Sequence, residues 1–391
     1  MRICMIAYTV YDVDSRVVRY AETLARRGDY VEVLALRRPG QPRHSEINGV
    51  HLYRIQVRTY EERSKFNFLF RILRFLLHSM ILFSFRHLKE RFHVAHVHSV
   101  PDFLVFAALV PKLTGCRVVL DIHDLLPEFY ASKFDSDFDS PFVRLLLVVE
   151  KVSAAFADHV IIANHLWYEK LILRALPERK CTVFLNYPDR RLFSPGGRTR
   201  HDDKFIVLFP GSVNWHQGLD VAVRAFRRVR EQAPQAEFHI YGHGSEWNAL
   251  DQMIRDLDAA GYVFLHEPRP VDEIARLIEN ADLGIVPKRK DTFGNEAFST
   301  KILEFMTLGI PVVVADTAID RHYFNASVVQ FFRSGDEEDL AEAILRLVHH
   351  PEIRQQLAHN ALQCVKEYDW ESKSKEYLGL VDSLAHPQPA H

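Results

Sequence analysis

The sequence predicts an α/β protein built as two doubly wound domains facing each other across a cleft. Three observations carry this. Short apolar runs alternate with longer amphipathic stretches almost throughout the chain. That rhythm stops once, at a polar break, and then restarts. The length, 391 residues, exceeds what a single core usually serves.

In the first half, Ile3–Ala7, Val31–Ala35, Val94–Val97, Val118–Leu120 and Val160–Ile162 read as buried strands. Ser15–Arg27 and Asp102–Lys112 read as amphipathic connections between strands. Strands that alternate with helices imply a parallel sheet covered on both faces. The break is Asn186–Lys204, NYPDRRLFSPGGRTRHDDK, which is polar and lacks apolar periodicity. Strands resume at Phe205–Phe209, Glu237–Tyr241, Val263–Leu265, Leu283–Val286 and Val312–Val314. Asp336–His349, Pro351–Lys366 and Trp370–Leu384 then read as three successive helices, and only HPQPAH at 386–391 is expected to be unordered. This divides the chain into domains at 1–190 and 200–369. Ligand is expected at the carboxyl ends of both sets of strands.

Composition narrows the class. Apolar residues make up 48% and charged residues 26%, which is ordinary for a globular protein. Lys+Arg is 49 against Asp+Glu 51, a net charge of -2, which argues against a globally basic nucleic-acid binder. The cysteines, Cys4, Cys116, Cys181 and Cys364, are far apart and form no Cys-x-x-Cys pair, which suits a reducing cytosol. The start, MRICMIAY, lacks the pattern of a signal peptide, so a cytoplasmic location is expected.

Phe66–Phe85, FNFLFRILRFLLHSMILFSF, is apolar enough to raise a membrane question, but it holds Arg71, Arg74 and His78. A span wants about 20 mostly uncharged residues, so a crossing helix is not expected. Arg63, Lys65, Arg86, His87, Lys89 and Arg91 flank the run. The whole 63–91 stretch suits an amphipathic helix lying on an anionic, cytoplasmic membrane face. A helix packed on the sheet with its arginine stems snorkelling fits equally well.

The segment richest in chemistry is Val286–Asp316, VPKRKDTFGNEAFSTKILEFMTLGIPVVVAD. A polar loop follows strand Leu283–Val286, then a helix from about Thr300 to Leu308. Ser299 and Thr300 are good N-cap residues. Lys301 then faces the positive end of the helix dipole, unfavourable by about 0.3–1 kcal/mol. A phosphate bound at the helix start would reverse that sign. Glu304 is the only charge in ILEFMTLGIPVVV, and a carboxylate there needs partners; a ribose diol would supply two donors. Glu296 stands seven residues before it.

Glu-x7-Glu, the helix, Gly309 and Pro311-Val-Val together resemble the donor site of retaining glycosyltransferases of family 4, which have the GT-B fold of two Rossmann-like domains. The resemblance covers nearly the whole chain. YTVYDVDSRVVRYAETLARRGDYVEVLALR resembles the family's first β-loop-α unit, and HVHSVPDF and DIHDLLPEFY resemble its acceptor-side elements. NYPD with Phe193 resembles the interdomain link, PGSVNWHQGLDVAVRAF the phosphate-loop segment, and IYGHGSE the Gly turn beside the base. The final helix, about 370–385, resembles the one that joins the first domain. The resemblance implies that Glu304 holds the ribose hydroxyls and that Glu296 holds or polarises the transferred sugar. It places the Ser299–Thr300 backbone at the diphosphate, His123 by the reacting sugar, Gly211 under the phosphates and Gly242 near the base.

The family often has Arg directly after that Gly and Lys six residues after it; here these positions are Ser212 and Gln217. Leaving-group charge must be stabilised in the transition state, so Lys288, Arg289 and Lys301 in the adjacent loop are expected to substitute. The usual Gly after Glu-x-Phe is also changed, to Ser299. On the acceptor side, Asp12, Arg16, His98 and Asp124 are expected to line the site. Asp12-Val-Asp14 matches a metal motif of another glycosyltransferase fold, but no third ligand is identifiable, so it reads as an acceptor-side wall. Asp135, Asp137 and Asp139 lack the turn and closing Glu of a cation loop. His96 and His98, with His123, read as structural or acceptor-pocket histidines rather than zinc ligands.

These readings converge on a retaining glycosyltransferase of hexosyl or N-acetylhexosaminyl type that needs no metal or other cofactor. Its donor is expected to be a nucleoside diphosphate sugar, with UDP as the base carrier. Its acceptor is expected to be a saccharide or lipid-linked oligosaccharide in cell-surface polysaccharide assembly, with no nucleic-acid partner. A nucleotide- or glycan-binding pseudoenzyme and a sugar-nucleotide epimerase are the alternatives.

Overall fold

A computed structural model describes residues 1–58 and 65–386. Arg63 of the basic stretch and 387–391 of the expected tail lie outside the described residues. The chain divides into two compact units, Met1–Asn186 with the segment from Glu371, and Tyr187–Trp370.

Unit 1 begins with β1 (Arg2–Val10), α1 (Ser15–Arg27), β2 (Tyr30–Arg37), β3 (His44–Ile47), β4 (Val50–Val57), α2 (Lys65–Lys89) and β5 (Val94–His98). A 3-10 segment, Asp102–Ala108, leads into α3 (Leu109–Leu113), β6 (Arg117–Ile122), α4 (Leu126–Phe134), α5 (Pro141–Phe156), β7 (His159–Ile162), α6 (His165–Arg174) and β8 (Cys181–Val183). The strand order is β3-β4-β2-β1-β5-β6-β7-β8, parallel throughout except that β3 runs antiparallel to β4. β1 pairs β2 on one side and β5 on the other, so the strand order reverses between β1 and β5. Their central positions, such as Ile3, Met5, Val31 and Val94, are fully buried, as strands covered on both faces must be.

Local rules place the ends of α1. The Asp14 carboxylate accepts from the Val17 amide at 3.2 Å, and Gly28, at φ +97°, closes the helix in the left-handed region. Two elements depart from expectation. Asp102–Lys112 is not one α-helix. Pro111 has no amide to donate, so the regular α-turn forms only as α3, where the proline sits in the first turn. The β3–β4 hairpin was missed because its residues are largely polar. Its turn is Asn48-Gly49, both at positive φ, which is the strongest short-range hairpin signal in sequence.

α2 joins the core by one face only. Ile72, Phe75, Ser79, Phe83 and His87 recur at helical spacing and are buried. Phe75 meets Tyr8 edge-on with ring centroids 5.2 Å apart, and Arg86 pairs with the buried Glu32. By length and composition Asn67–Lys89 suffices to cross a membrane, but its inner face is part of unit 1 and withdrawing it would unpack β1. Its outer face presents Leu69, Leu73, Leu77, Ile81, Phe85 and Leu88 to solvent. Packing on the sheet and an exposed apolar stripe are thus both present.

Unit 2 contains β9 (Phe205–Pro210), α7 (Leu219–Gln232), β10 (Ala236–Tyr241), α8 (Trp247–Asp256), β11 (Val263–His266), α9 (Val271–Glu279) and β12 (Leu283–Val286). There follow α10 (Thr300–Thr307), β13 (Val312–Ala315), α11 (Ala318–Tyr323), β14 (Gln330–Phe332), α12 (Glu337–His349) and α13 (Pro351–Cys364). All six strands are parallel, in the order β11-β10-β9-β12-β13-β14, with the reversal between β9 and β12. Gly284 on β12 lets α10 approach; a Cβ there would stand 2.6 Å from the ring of the fully buried Phe305. The last helix, α14 (Trp370–Ala385), starts at the end of unit 2 and continues in unit 1. There Tyr377 is fully buried, its ring 4.4 Å from that of Tyr20 and its hydroxyl 2.9 Å from His96 Nδ1.

Candidate functional site

In unit 2, the candidate site forms where the strand order reverses, beyond the ends of β9 and β12. Gly211 follows β9, and a Cβ at Gly211 would overlap Cε of Lys301. A Cβ at Gly242, after β10, would overlap the Gly211 carbonyl. Both glycines are therefore demanded by close approach. Lys301 thus reaches back from the first turn of α10 over the β9 turn, its Nζ 5.2 Å from the centre of the Phe209 ring. Ser299, the N-cap residue, accepts no amide with its side chain, and its Oγ is buried without a partner. The first amides of a helix have no partner within it, so this end of α10 collects donors and a cation. Glu304 follows one turn on. Burial pushes its carboxyl up, against Lys301 and the Thr300 hydroxyl. Burial likewise lowers Lys301, against the attraction of Glu304.

The other predicted donor residues lie around this end. Glu296 ends the turn before α10, its amide bonded to the Phe293 carbonyl at 3.0 Å. Ser212 is exposed, and Gln217 is buried with its Nε2 2.9 Å from His216 Nε2. Lys288 and Arg289 correct the expectation of three phosphate-side cations. Lys288 is 2% exposed and turns inward, with Nζ 2.9 Å from the Asp320 carboxylate and 2.7 Å from the Ala297 carbonyl. A buried ammonium needs such a counter-charge. Arg289 forks onto Asp220 at 2.6 Å to both oxygens and lies over Trp215 at 3.7 Å. Its charge is already matched. Lys301 has no carboxylate within ion-pair distance among the described residues. Sequence reasoning passed over His216, whose imidazole is pushed down to about 4 chiefly by burial. Its neighbour Gln217 was singled out, and a histidine between Trp and Gln carries no signal of its own.

In unit 1, a pocket of about 190 Å³ opens at the reversal between β1 and β5, lined by Asp14, His98, Ser99, His123 and Asp124 among others. Behind it lies Asp121. Arg16 holds both its oxygens, at 2.8 and 2.7 Å, and also donates to the Phe184 carbonyl at 2.8 Å. His98 Nδ1 stands 3.1 Å and His123 Nε2 3.2 Å from one Asp121 oxygen. Burial works against ionisation of Asp121, but Arg16 and His123 hold its carboxyl well below the usual range. Burial raises Asp124 and lowers His98.

The predicted acceptor residues therefore separate. His98, His123 and Asp124 come together. Arg16 is buried behind them and positions Asp121 rather than lining the pocket. Asp12 lies elsewhere, hydrogen-bonded to Gln41 Nε2 at 2.6 Å, while Asp14 of the same motif lines the pocket. The reason is the turn at Tyr11–Val13, which sends the two carboxylates apart. Among the described residues, one group could hold a metal: His96, His98 and Asp121, whose ligand atoms lie within 4.8 Å of one another. A cation there would have to displace the Arg16 fork from Asp121.

Buried neutral histidines leave a pH signature. His159 is pushed down to about 4 by burial and by Lys180. The unfolded chain takes up that proton near pH 6.5 and the folded chain does not, so this contribution to stability is lost as pH falls below 6.5. The slope is about 1.4 kcal/mol per pH unit. Asp102 and Glu150, pushed up by burial to about 6 and about 7, drive the opposite trend. The measurement is therefore a difference. The stability of the wild type relative to His159→Asn, from urea unfolding, is expected to fall by about 2 kcal/mol between pH 6.5 and 5. An unchanged difference would mean that His159 is protonated in the fold.

Two parallel α/β units, each with a polar site at its strand reversal, are the architecture of a GT-B glycosyltransferase. Residues 13–186 match the family model described as glycosyl transferase 4-like domain, and 195–363 match that described as glycosyl transferases group 1. The chain belongs to the family 4 glycosyltransferases. It is 27% identical over 314 residues to the D-inositol 3-phosphate glycosyltransferase of Stackebrandtia nassauensis, covering 74% of this chain and 63% of that one, so it spans under two thirds of that relative. It is 22% identical over 310 residues to the alpha-galactosylglucosyldiacylglycerol synthase of Streptococcus pneumoniae, covering 75% of this chain and 78% of that one. Among solved structures, sucrose-phosphate synthase from Thermosynechococcus elongatus superposes with a TM-score of 0.80 at 19% identity, over 98% of this chain and 99% of that one. HepE from Anabaena in complex with UDP and glucose superposes with a TM-score of 0.74 at 16% identity, over 98% of this chain and all of the other. At those identities the likeness carries the fold.

Proposed function

We propose that the chain is a retaining, metal-independent glycosyltransferase that binds a UDP-sugar on unit 2 and a saccharide or lipid-linked saccharide acceptor on unit 1, in glycolipid or cell-surface polysaccharide assembly. The observation that carries the donor reading is the start of α10. Lys301 lies over Gly211, the Ser299 hydroxyl lacks a partner, and Glu304 stands one turn further. A nucleoside diphosphate matches this order: anionic phosphates at the helix start and ribose hydroxyls at the carboxylate. Lys301 replaces both missing cations, because Lys288 and Arg289 are matched elsewhere. The UDP and glucose in the HepE structure and the diacylglycerol product named for the pneumococcal relative support the substrate classes.

In the reaction, the bond from the anomeric carbon to the diphosphate oxygen breaks as the bond to the acceptor oxygen forms on the same face. The acceptor proton passes to an oxygen of the departing diphosphate. The products are UDP and the glycoside. Glu296 holds the sugar, and His123, oriented by Asp121, meets the reacting sugar from the acceptor side. Asp14 and Asp124, with His98, hold acceptor hydroxyls.

Calorimetry with UDP, GDP and ADP tests the donor reading. UDP is expected to bind with and without Mg2+. Glu304→Ala is expected to weaken it about 10- to 100-fold, the loss of about 1.5–3 kcal/mol of hydrogen bonding to a charged group. No nucleotide binding, or an unaffected Glu304→Ala, would overturn the ribose assignment. Product analysis without acceptor separates transfer from epimerisation.

A further inference from the structure

The largest cavity in the described residues belongs to neither candidate substrate site. It measures about 610 Å³ and lies in unit 1 between β4 with its hairpin partner and the flank of α2. Its lining divides in two. Arg37, Arg43, Arg54 and Arg74 form a cationic side, and Val57, Ile81, Leu82 and Phe85 an apolar side. Arg54 is 4% exposed. Its Nη1 donates to Ser45 Oγ at 2.6 Å, yet its Nε is buried without a partner. The nearest carboxylate, Asp12, stands 3.8 Å from Nη2. Among the described residues no carboxylate pairs with Arg37, Arg43 or Arg74. Four guanidiniums therefore converge on one cavity with a single distant counter-charge.

Such a convergence is costly unless an anion completes it. Guanidinium forks fit phosphate oxygens in particular. The apolar side says what the phosphate is attached to. Ile81 and Phe85 line the cavity and also belong to the outer stripe of α2, where they are 55% and 72% exposed. The cavity thus opens directly onto an apolar surface. α5 adds a second exposed row, Phe142, Leu145, Val148 and Val152, and both helices pack on the Asp102–Ala108 segment. Exposed apolar rows of this extent on one domain call for a partner.

We propose that this cavity is a binding site for the phosphate head of an anionic membrane phospholipid, with the chains lying along the outer stripe of α2. The site docks unit 1 on a bilayer surface by specific head-group capture. It does not depend on the donor reading, and its test does not use transfer.

The full chain is floated with phosphatidylcholine vesicles, with and without phosphatidylglycerol, at constant ionic strength. The wild type is expected to float only with the anionic vesicles. The double variant Arg43→Gln/Arg74→Gln removes two exposed guanidiniums. It is expected to bind about 25-fold more weakly, near fivefold for each charge lost close to the surface. Ile81→Ser/Phe85→Ser is expected to lose the same binding with all arginines present. Unchanged thermal midpoints confirm that the variants fold. Equal flotation with phosphatidylcholine alone, unaltered binding by the arginine variant, or no flotation at all would each overturn the proposal. Full displacement by soluble glycerol phosphate would overturn the lipid as the source and leave a free phosphate ester as the ligand.

Discussion

Lys301→Ala is expected to lower kcat about 10²- to 10³-fold, the effect of removing one preorganised stabiliser of developing charge. Departure of the diphosphate concentrates negative charge on an oxygen that the protein must meet without the two cations usual in this family. Ser212 and Gln217 carry no charge, and Lys288 and Arg289 are committed to Asp320 and Asp220. Lys301 is the remaining ammonium, and Gly211 gives it room. The loss should fall on kcat more than on stability, because the side chain is only half-buried. A pH profile gives a second reading. Burial lowers the Lys301 pKa below its ordinary 10.5, so activity is expected to fail on the alkaline side as the ammonium loses its proton. Lys301→Arg, with a guanidinium that does not deprotonate, should remove that limb. A kcat for Lys301→Ala within a few-fold of wild type would remove the lysine from the mechanism. UDP binding without transfer in the wild type would instead favour a pseudoenzyme.

Arg16→Leu is expected to destabilise unit 1 by about 3–5 kcal/mol, because it strands a buried carboxylate. Asp121 is fully buried and both its oxygens are held by this one guanidinium. For a domain of this size the unfolding midpoint should fall by about 6–20 °C. Adding Asp121→Asn removes the stranded charge and should restore part of the loss. The acid side carries the same sign. Asp121 is held below its unfolded value, so its contribution is present above about pH 4 and is lost as pH falls through the folded pKa. A midpoint for Arg16→Leu within a degree or two of wild type, by calorimetric scanning, would show that the pair contributes little.

The donor end of α10 was legible in sequence because its signals are local. Ser299 and Thr300 cap, Lys301 offends the dipole, and Glu304 interrupts an apolar run, each within one turn of the next. The ten strands read from apolar runs are all present for the same reason. The β3–β4 hairpin escaped because its pattern is polar and only the Asn48-Gly49 turn announces it. β8 and β14, three residues each, are too short for a period to show.

Taken alone, the sequence determined the two parallel α/β units and the residues at the helix start, because hydrophobic period and capping are set by near neighbours in the chain. Which cations remain available was decided by tertiary structure alone. Lys288 and Arg289 look as eligible as Lys301 until Asp320 and Asp220, 32 and 69 residues away, match their charges. Likewise Asp12 and Asp14 are interchangeable in sequence until the turn between them sends one to the pocket. The four arginines facing α2 come from three strand ends and a helix, so their convergence appears in no window of sequence. Charge is a property of a residue; whether it is matched is a property of what the fold brings beside it.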